Sequence, residues 1–366
     1  MTAEFRPAPP TPVNLLTGFL GSGKTTLLQR LLGDPALANT AVLINEFGEV
    51  GLDHHLLDRI DDNVVLLKSG CLCCTVRGEV AEALQKLHSQ RARNEIPWFD
   101  RVVIETTGLA DPFPALSTIQ SHPVLRSHFS IANVVVTVDA VNGATQLEQR
   151  LEAIRQVGAA DVVVITKSDM EEAVKTEVLS AKLHRLNPAA RQVIAQKAGA
   201  GEFLTDAFSG RGEDWRRDAF RATEEFGSAE RHHQHGTHED GGRGHDHHAH
   251  ASVRSFSMVI EERIDWTAFG MWLSMLLNRH GDRVFRVKGI LDIEGEERPV
   301  AIHGVQRLVH PPVHMSGWPD ARRHSRIVFI VDGLDPARIE ESFHVFNRLS
   351  DEVLGPHQTT TLRRAG

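Results

Sequence analysis

Six short runs of apolar, largely β-branched residues punctuate the first half of the chain: Val13–Leu16, Ala41–Ile44, Val64–Leu67, Val102–Ile104, Val134–Val138 and Val162–Ile165. Between them lie stretches with helix-like spacing of apolar positions, including Lys24–Leu32, Val80–His88, Leu147–Val157 and Ala173–Leu186. Strands that are apolar throughout are buried on both faces. Their alternation with helices predicts an α/β domain, a parallel sheet with helices on both faces, over residues 1–208.

The pattern breaks at Ser209. Residues 209–252 are rich in Gly, Arg, Glu and His, with few large apolar side chains after Phe226. Such a segment buries too little surface to offset its ordering entropy, which predicts a flexible His-rich linker. Periodicity returns with a strand at Val253–Ile260, a helix over Trp266–Asn278, strands near Val284–Leu291, Val300–Leu308 and Arg326–Val331, and a helix from Pro336 to about Leu349. Residues 253–366 are expected to form a smaller C-terminal α+β domain. Phe269, Trp272, Leu273 and Leu276 share a helical spacing that marks a core face.

Composition narrows the class. The chain has 366 residues, 41% hydrophobic and 24% charged, which is the make-up of a soluble globular protein with room for two domains. A net charge of −8 argues against a general nucleic-acid binder. No apolar stretch approaches the ~20 residues that cross a bilayer. Met1 to Pro12 lacks the hydrophobic core of a secretory signal, so the expectation is a cytoplasmic protein with no membrane partner.

The first candidate for chemistry is Gly18-Phe19-Leu20-Gly21-Ser22-Gly23-Lys24-Thr25, which follows an apolar strand and opens a helix. That is the G-x-x-x-x-G-K-[ST] phosphate-binding loop in its required context. Gly18, Gly21, Ser22 and Gly23 would turn backbone N–H groups toward a polyphosphate, helped by the positive end of the helix carrying Thr26. Lys24 would neutralise the β- and γ-phosphates, and the Thr25 hydroxyl would ligate Mg²⁺.

A second element, Val102-Val103-Ile104-Glu105-Thr106-Thr107-Gly108, ends an apolar strand in a carboxylate with Gly three positions on. It would place Glu105 and a backbone N–H beside Mg²⁺ and the γ-phosphate. A third, Thr166-Lys167-Ser168-Asp169, ends another strand. The Asp169 carboxylate can accept from both N1–H and the N2 amine of guanine, whereas adenine offers a lone pair at N1 and is mispaired. The Lys167 stem would pack on the base, and Thr166 stands where Asn is usual. These residues point to GTP. A small-molecule P-loop kinase is a competing reading, and Asp169 in its T-K-x-D setting argues against it.

All three cysteines fall in Cys71-Leu72-Cys73-Cys74. An odd number packed this tightly is no disulfide framework, and clustered thiolates suit Zn²⁺ or another borderline-soft ion. Small buried hydrophobes beside Gly70 are the plainer alternative. Of 21 histidines, eight lie between His232 and His250, where imidazoles can capture Zn²⁺, Ni²⁺, Co²⁺ or Cu²⁺ with little selectivity.

Together these segments resemble the CobW-type metallochaperone GTPases, also called zinc-regulated GTPase metalloprotein activators. The resemblance rests on the Gly18–Thr25 loop, Asn45-Glu46-Phe47-Gly48, Gly70–Cys74, Glu105 to Pro112, Thr166–Asp169, and in the C-terminal part on Arg286-Val287-Lys288-Gly289 and Val305-Gln306. It implies a P-loop NTPase fold and a GTPase that carries zinc, under control of GTP binding and hydrolysis, to a client metalloprotein. It also implies a metal site at Glu46, Cys73, Cys74 and His122, with Cys71 as an exchangeable ligand. Lys24, Thr25 and Glu105 would carry the hydrolysis. Two other readings stay open: a metal-storage or sensing protein with a regulatory GTP site, and a cobalt or nickel insertion factor. The client, the metal and a homodimeric state are not fixed by the residues. Eukaryotic zinc-transfer members carry an N-terminal docking motif for methionine aminopeptidase, which Met1 to Pro12 does not match.

Overall fold

The computed structural model describes residues 9–32, 34, 38–44, 65–68, 76–197, 199, 252–319 and 321–354. The expected linker up to Ala251 and the metal candidates Glu46, Cys71, Cys73 and Cys74 lie outside them. The chain divides into two compact units, Met1–Ser255 and Phe256–Gly366.

Among the described residues the first unit has seven strands: β1 (Thr11–Gly18), β2 (Thr40–Ile44), β3 (Val65–Lys68), β4 (Arg101–Glu105), β5 (Phe129–Asp139), β6 (Val162–Thr166) and β7 (Arg191–Ile194). Their order is β3-β2-β4-β1-β5-β6-β7. Every neighbouring pair runs parallel. Nearly every strand position from β1 to β6 with a described side chain is buried, as the unbroken apolar runs require. Leu16, Val42, Ile44, Val103, Val135 and Val164 form one inner layer with Leu27, Leu28 and Leu31 of helix α1 (Lys24–Leu32). Residues of opposite parity, such as Leu15, Leu43, Ile104 and Val163, are buried on the other face.

The other α-helices of this unit among the described residues are α2 (Val76–Ala92), α3 (Pro112–Ser121), α4 (Pro123–His128), α5 (Gly143–Gln149), α6 (Leu151–Ala159) and α7 (Ala173–Leu186). The expected helix over Leu147–Val157 is two: Arg150 is extended (φ −129, ψ 112), ends α5 with its N–H on Gln146 O, and starts α6. α3 and α4 have no counterpart in the sequence expectation. Pro112 and Pro123 sit at helix starts, where a missing N–H costs nothing, behind the side-chain caps Asp111 and His122.

The second unit carries β8 (Val253–Ile260) at its N-terminal boundary, α8 (Trp266–His280), β9 (Val284–Leu291), β10 (Val300–Val305), β11 (Leu308–Val309), β12 (Val313–His314), β13 (Ser325–Asp332) and α9 (Pro336–Leu354). β9 pairs antiparallel with β10 and β13. The expected strand Val300–Leu308 breaks at Gln306, whose φ of 52 turns the chain into β11. Phe269, Trp272 and Leu273 are core, as their spacing indicates, with Val287, Leu291 and Phe329 of the sheet; Leu276 is only partly buried against them. On the alternate positions of β9, Arg286 and Lys288 are buried, and Lys288 lies opposite His303 of β10.

Candidate functional site

β1 sits where the strand order reverses, with β4 on one side and β5 on the other. In open parallel sheets, ligands bind beyond the carboxyl ends of strands at such a point. Gly18, Glu105 and Thr166 end β1, β4 and β6 there.

The loop leaving β1 is held from both sides. A Cβ on Gly18 would stand 2.3 Å from Thr137 Oγ1, and its φ of +144 is open only to glycine. Ser22 Oγ bonds Thr137 Oγ1 at 2.6 Å, and Thr166 Oγ1 donates to Ser22 O at 2.7 Å. Lys24 Nζ donates to Gly18 O at 2.9 Å and Phe19 O at 3.3 Å, curled back over the loop that a triphosphate would enter. Gly21 and Gly23 also take positive φ, and Thr26 is exposed on the first turn of α1.

Thr25 Oγ1 donates to Glu105 Oε1 at 2.6 Å. These side chains offer the hard oxygen donors that Mg²⁺ takes, so the pair fits that ion and its role of neutralising phosphate charge. The strand end is fixed by Thr106, whose N–H bonds Leu16 O at 3.0 Å and whose hydroxyl bonds Thr17 Oγ1 at 2.8 Å. Beyond it, Gly108 lies against the phosphate loop: a Cβ there would be 2.7 Å from the Leu20 backbone.

At the end of β6, Lys167 adopts φ 55 and ties two segments together, donating to Gly21 O at 2.8 Å and to Asp139 Oδ2 at 2.6 Å. Burial works to raise the Asp139 pKa, but hydrogen bonds from Lys167, Asn142 and the Val141 N–H prevail and hold it below the usual carboxylate range. Asp169 is exposed at the rim and accepts from the Gln196 amide, while Ser168 Oγ donates to Gln196 Oε1 at 2.8 Å.

Four contributors here were not singled out in the sequence: Thr137, Asp139, Gln156 and Gln196. Buried Gln156 of α6 donates to Gly108 O at 3.1 Å and Ala110 O at 3.0 Å, clamping the loop after Glu105. Asp139 and Gln196 had one visible signal, their position at or just past the ends of apolar runs.

Of the metal candidates, only His122 falls within the described residues. Its N–H closes α3 on Thr118 O, its Nδ1 accepts from Leu125 N–H at 3.4 Å to start α4, and its Nε2 lies 3.0 Å from Gln85 Nε2. Gln85 is nine residues past the start of α2, roughly 14 Å along the helix at 1.5 Å per residue. Each imidazole nitrogen therefore has a neighbour, the Leu125 N–H at Nδ1 and the Gln85 amide at Nε2. Among the described residues no cluster of three or more His, Cys, Asp or Glu could hold a metal, and no helix is long and apolar enough to cross a membrane.

A parallel sheet with a glycine-rich loop at its switch point, Lys24 and Thr25 on the following helix and Glu105 on the adjoining strand together define a P-loop nucleotide-binding domain. Residues 12–194 match the CobW/HypB/UreG nucleotide-binding domain, and residues 253–347 match the CobW C-terminal domain. The chain belongs to the CobW family. It is 33% identical over 334 residues to the zinc chaperone YjiA of Escherichia coli, covering 91% of this chain and 98% of the relative. It is 29% identical over 365 residues to the zinc chaperone CobW of Pseudomonas aeruginosa, covering 90% and 89%. The crystal structure of Zn(II)-bound E. coli YjiA GTPase aligns with a TM-score of 0.65 at 29% identity, across 92% of this chain and 99% of that one.

Proposed function

We propose that this protein is a GTP-hydrolysing metallochaperone. In this reading it holds zinc at the Cys71–Cys74 segment and surrenders it to a client metalloprotein as the nucleotide turns over. Gly18 to Thr26 would hold the phosphates, Asp169 positioned by Gln196 would select guanine, and Thr25 with Glu105 would bind Mg²⁺. Glu46, Cys73 and Cys74, with Cys71 exchanging, would hold the zinc as cargo. His122 can join them only by giving up one of its two contacts, Gln85 at Nε2 or the Leu125 N–H at Nδ1.

One observation carries the reading. Ile44, Lys68 and Glu105, the last residues of β2, β3 and β4, are joined by parallel register at one sheet edge, Ile44 opposite both others. In the sequence Glu46 follows Ile44 by two residues and Cys71 follows Lys68 by three. These short spacings from strand ends at the edge where Glu105 meets Thr25 support a metal site near the nucleotide. Named relatives that are zinc chaperones support the choice of metal.

The test is metal content and stoichiometry of the full chain with a non-hydrolysable GTP analogue. Wild type should hold one zinc per chain at this site beyond any held by the His-rich segment, and Cys73→Ala with Cys74→Ala should lose that equivalent. Equal zinc content in both proteins would refute the site.

A further inference from the structure

The C-terminal unit bears a groove that nucleotide and zinc chemistry leave unexplained. It runs between α8 and the start of α9, has a volume of about 440 Å³, and is floored by Trp272, Leu276, Leu334, Ile339 and Phe346. The Trp272 indole N–H is satisfied by Ser342 Oγ at 2.9 Å, so the floor presents an apolar surface. Met275 of α8 also lines the groove and is 58% exposed; outside it, Met271, one turn back on α8, is 51% exposed and Val345 of α9 is 49% exposed. Contiguous exposed apolar surface on a folded domain marks an interaction site, and methionine suits one that must adapt to its partner.

The rim is cationic. Arg279, Arg283, Arg338 and His280 surround the groove, against Asp335 alone. Asp335 is already engaged, capping α9 through the Ala337 N–H at 3.1 Å, and Arg283 is bound to the carbonyls of Asp332 and Gly333. Arg279 and Arg338 have no ion pair among the described residues. The line from Met271 through Met275 to Arg279 follows one helix face for roughly 12 Å, more than two turns. That row gives the kind of elongated surface on which a helix lies in a groove.

We propose that this groove docks an amphipathic helix of a protein partner, one with an apolar face and an acidic flank. The apolar face would seat on Trp272, Leu276, Met275 and Phe346, and the carboxylates would pair with Arg279 and Arg338. Charge would set which helix is admitted, and apolar burial would set how tightly it stays. This goes beyond the zinc reading, and its failure leaves that reading intact.

The test uses the full chain and two labelled synthetic helical peptides, one with leucines on one face and glutamates on the other, the second with lysine for every glutamate. Fluorescence anisotropy should show the glutamate peptide binding at least about tenfold more tightly than its lysine twin. Arg279→Glu combined with Arg338→Glu should invert that order, and Met275→Asp should weaken the glutamate peptide, with circular dichroism melts confirming that each variant folds. Equal binding of both peptides, no binding of either, or an order untouched by the double reversal would overturn the proposal. So would a concentration-dependent dimer that Met275→Asp dissociates, since the occupant would then be a second copy of the chain.

Discussion

The side-chain amide of Gln156 donates to the backbone carbonyl of Gly108 at 3.1 Å, reaching across 48 residues to hold the loop that follows Glu105. Its second bond, to Ala110 O, fixes the next turn, and Gly108 itself lies against Leu20 of the phosphate loop. The γ-phosphate end of a bound triphosphate would meet this loop, whereas a diphosphate stops short of it. Replacing Gln156 by Ala removes the donor to the buried Gly108 carbonyl and the partly buried Ala110 carbonyl, a loss of about 1–3 kcal/mol. GTP affinity should fall about tenfold or more while GDP affinity changes less than about threefold, by calorimetric titration. Equal losses for both nucleotides would show Gln156 to be purely structural.

Glu105 and Thr25 meet at 2.6 Å, and the proposed hydrolysis would use both. Glu105→Gln keeps the size and a hydrogen-bonding group but removes the charge. Removing one preorganised electrostatic group of this kind costs about 10²–10³ in rate, so steady-state phosphate release should fall by that factor. Nucleotide affinity measured without Mg²⁺ should stay near wild type. Undiminished hydrolysis would remove Glu105 from the reacting centre.

Asp169 faces the rim with Gln196 on one oxygen. Asn in its place turns an acceptor into a donor at guanine N2 while matching the O2 carbonyl of xanthine. Such polar mispairing discriminates strongly. Asp169→Asn should weaken GTP by about 100-fold and improve XTP, read by competition for a fluorescent nucleotide. Gln196→Ala should weaken both, since it only positions the carboxylate. A variant that still prefers GTP would mean that another group reads the base.

His303 is fully buried in the C-terminal unit, and that burial, with Lys288, Arg286 and His310 adding repulsion, drives its pKa well below the imidazole value. The unfolded chain therefore takes up the proton first as pH falls below about 6.5. Stability contributed by the neutral ring is full above that pH and is lost on acidification toward the lower folded value. Thermal unfolding of wild type should drop between pH 7.5 and 5.5, and His303→Gln should flatten that dependence. An identical pH profile in the variant would assign the effect elsewhere.

The sheet was legible because its strands are buried on both faces, so Val102–Ile104 or Val162–Ile165 read as strands without any contact known. The phosphate loop was legible because its chemistry is contiguous. β7 escaped notice because Arg191 and Gln192 fill half of its four positions and are only partly buried. α3 and α4 were hidden by Pro112, Pro114 and Pro123, which sit within helix starts rather than breaking a helix. Gln156, Thr137 and Gln196 act through partners 27 to 115 residues away, a relation that no local pattern carries. His122 was singled out through resemblance alone, and its capping of α4 and contact with Gln85 emerged only from the packing.

Linkage between nucleotide and zinc is the most direct measurement. Zinc affinity of the full chain should be titrated against a competing chelator, once with a non-hydrolysable GTP analogue and once with GDP, at fixed pH and salt. The two affinities should differ by about 5- to 150-fold, and saturating zinc should shift the affinity of the analogue relative to GDP by the same factor. Zinc bound equally well in both nucleotide states would contradict a cargo site governed by the P-loop.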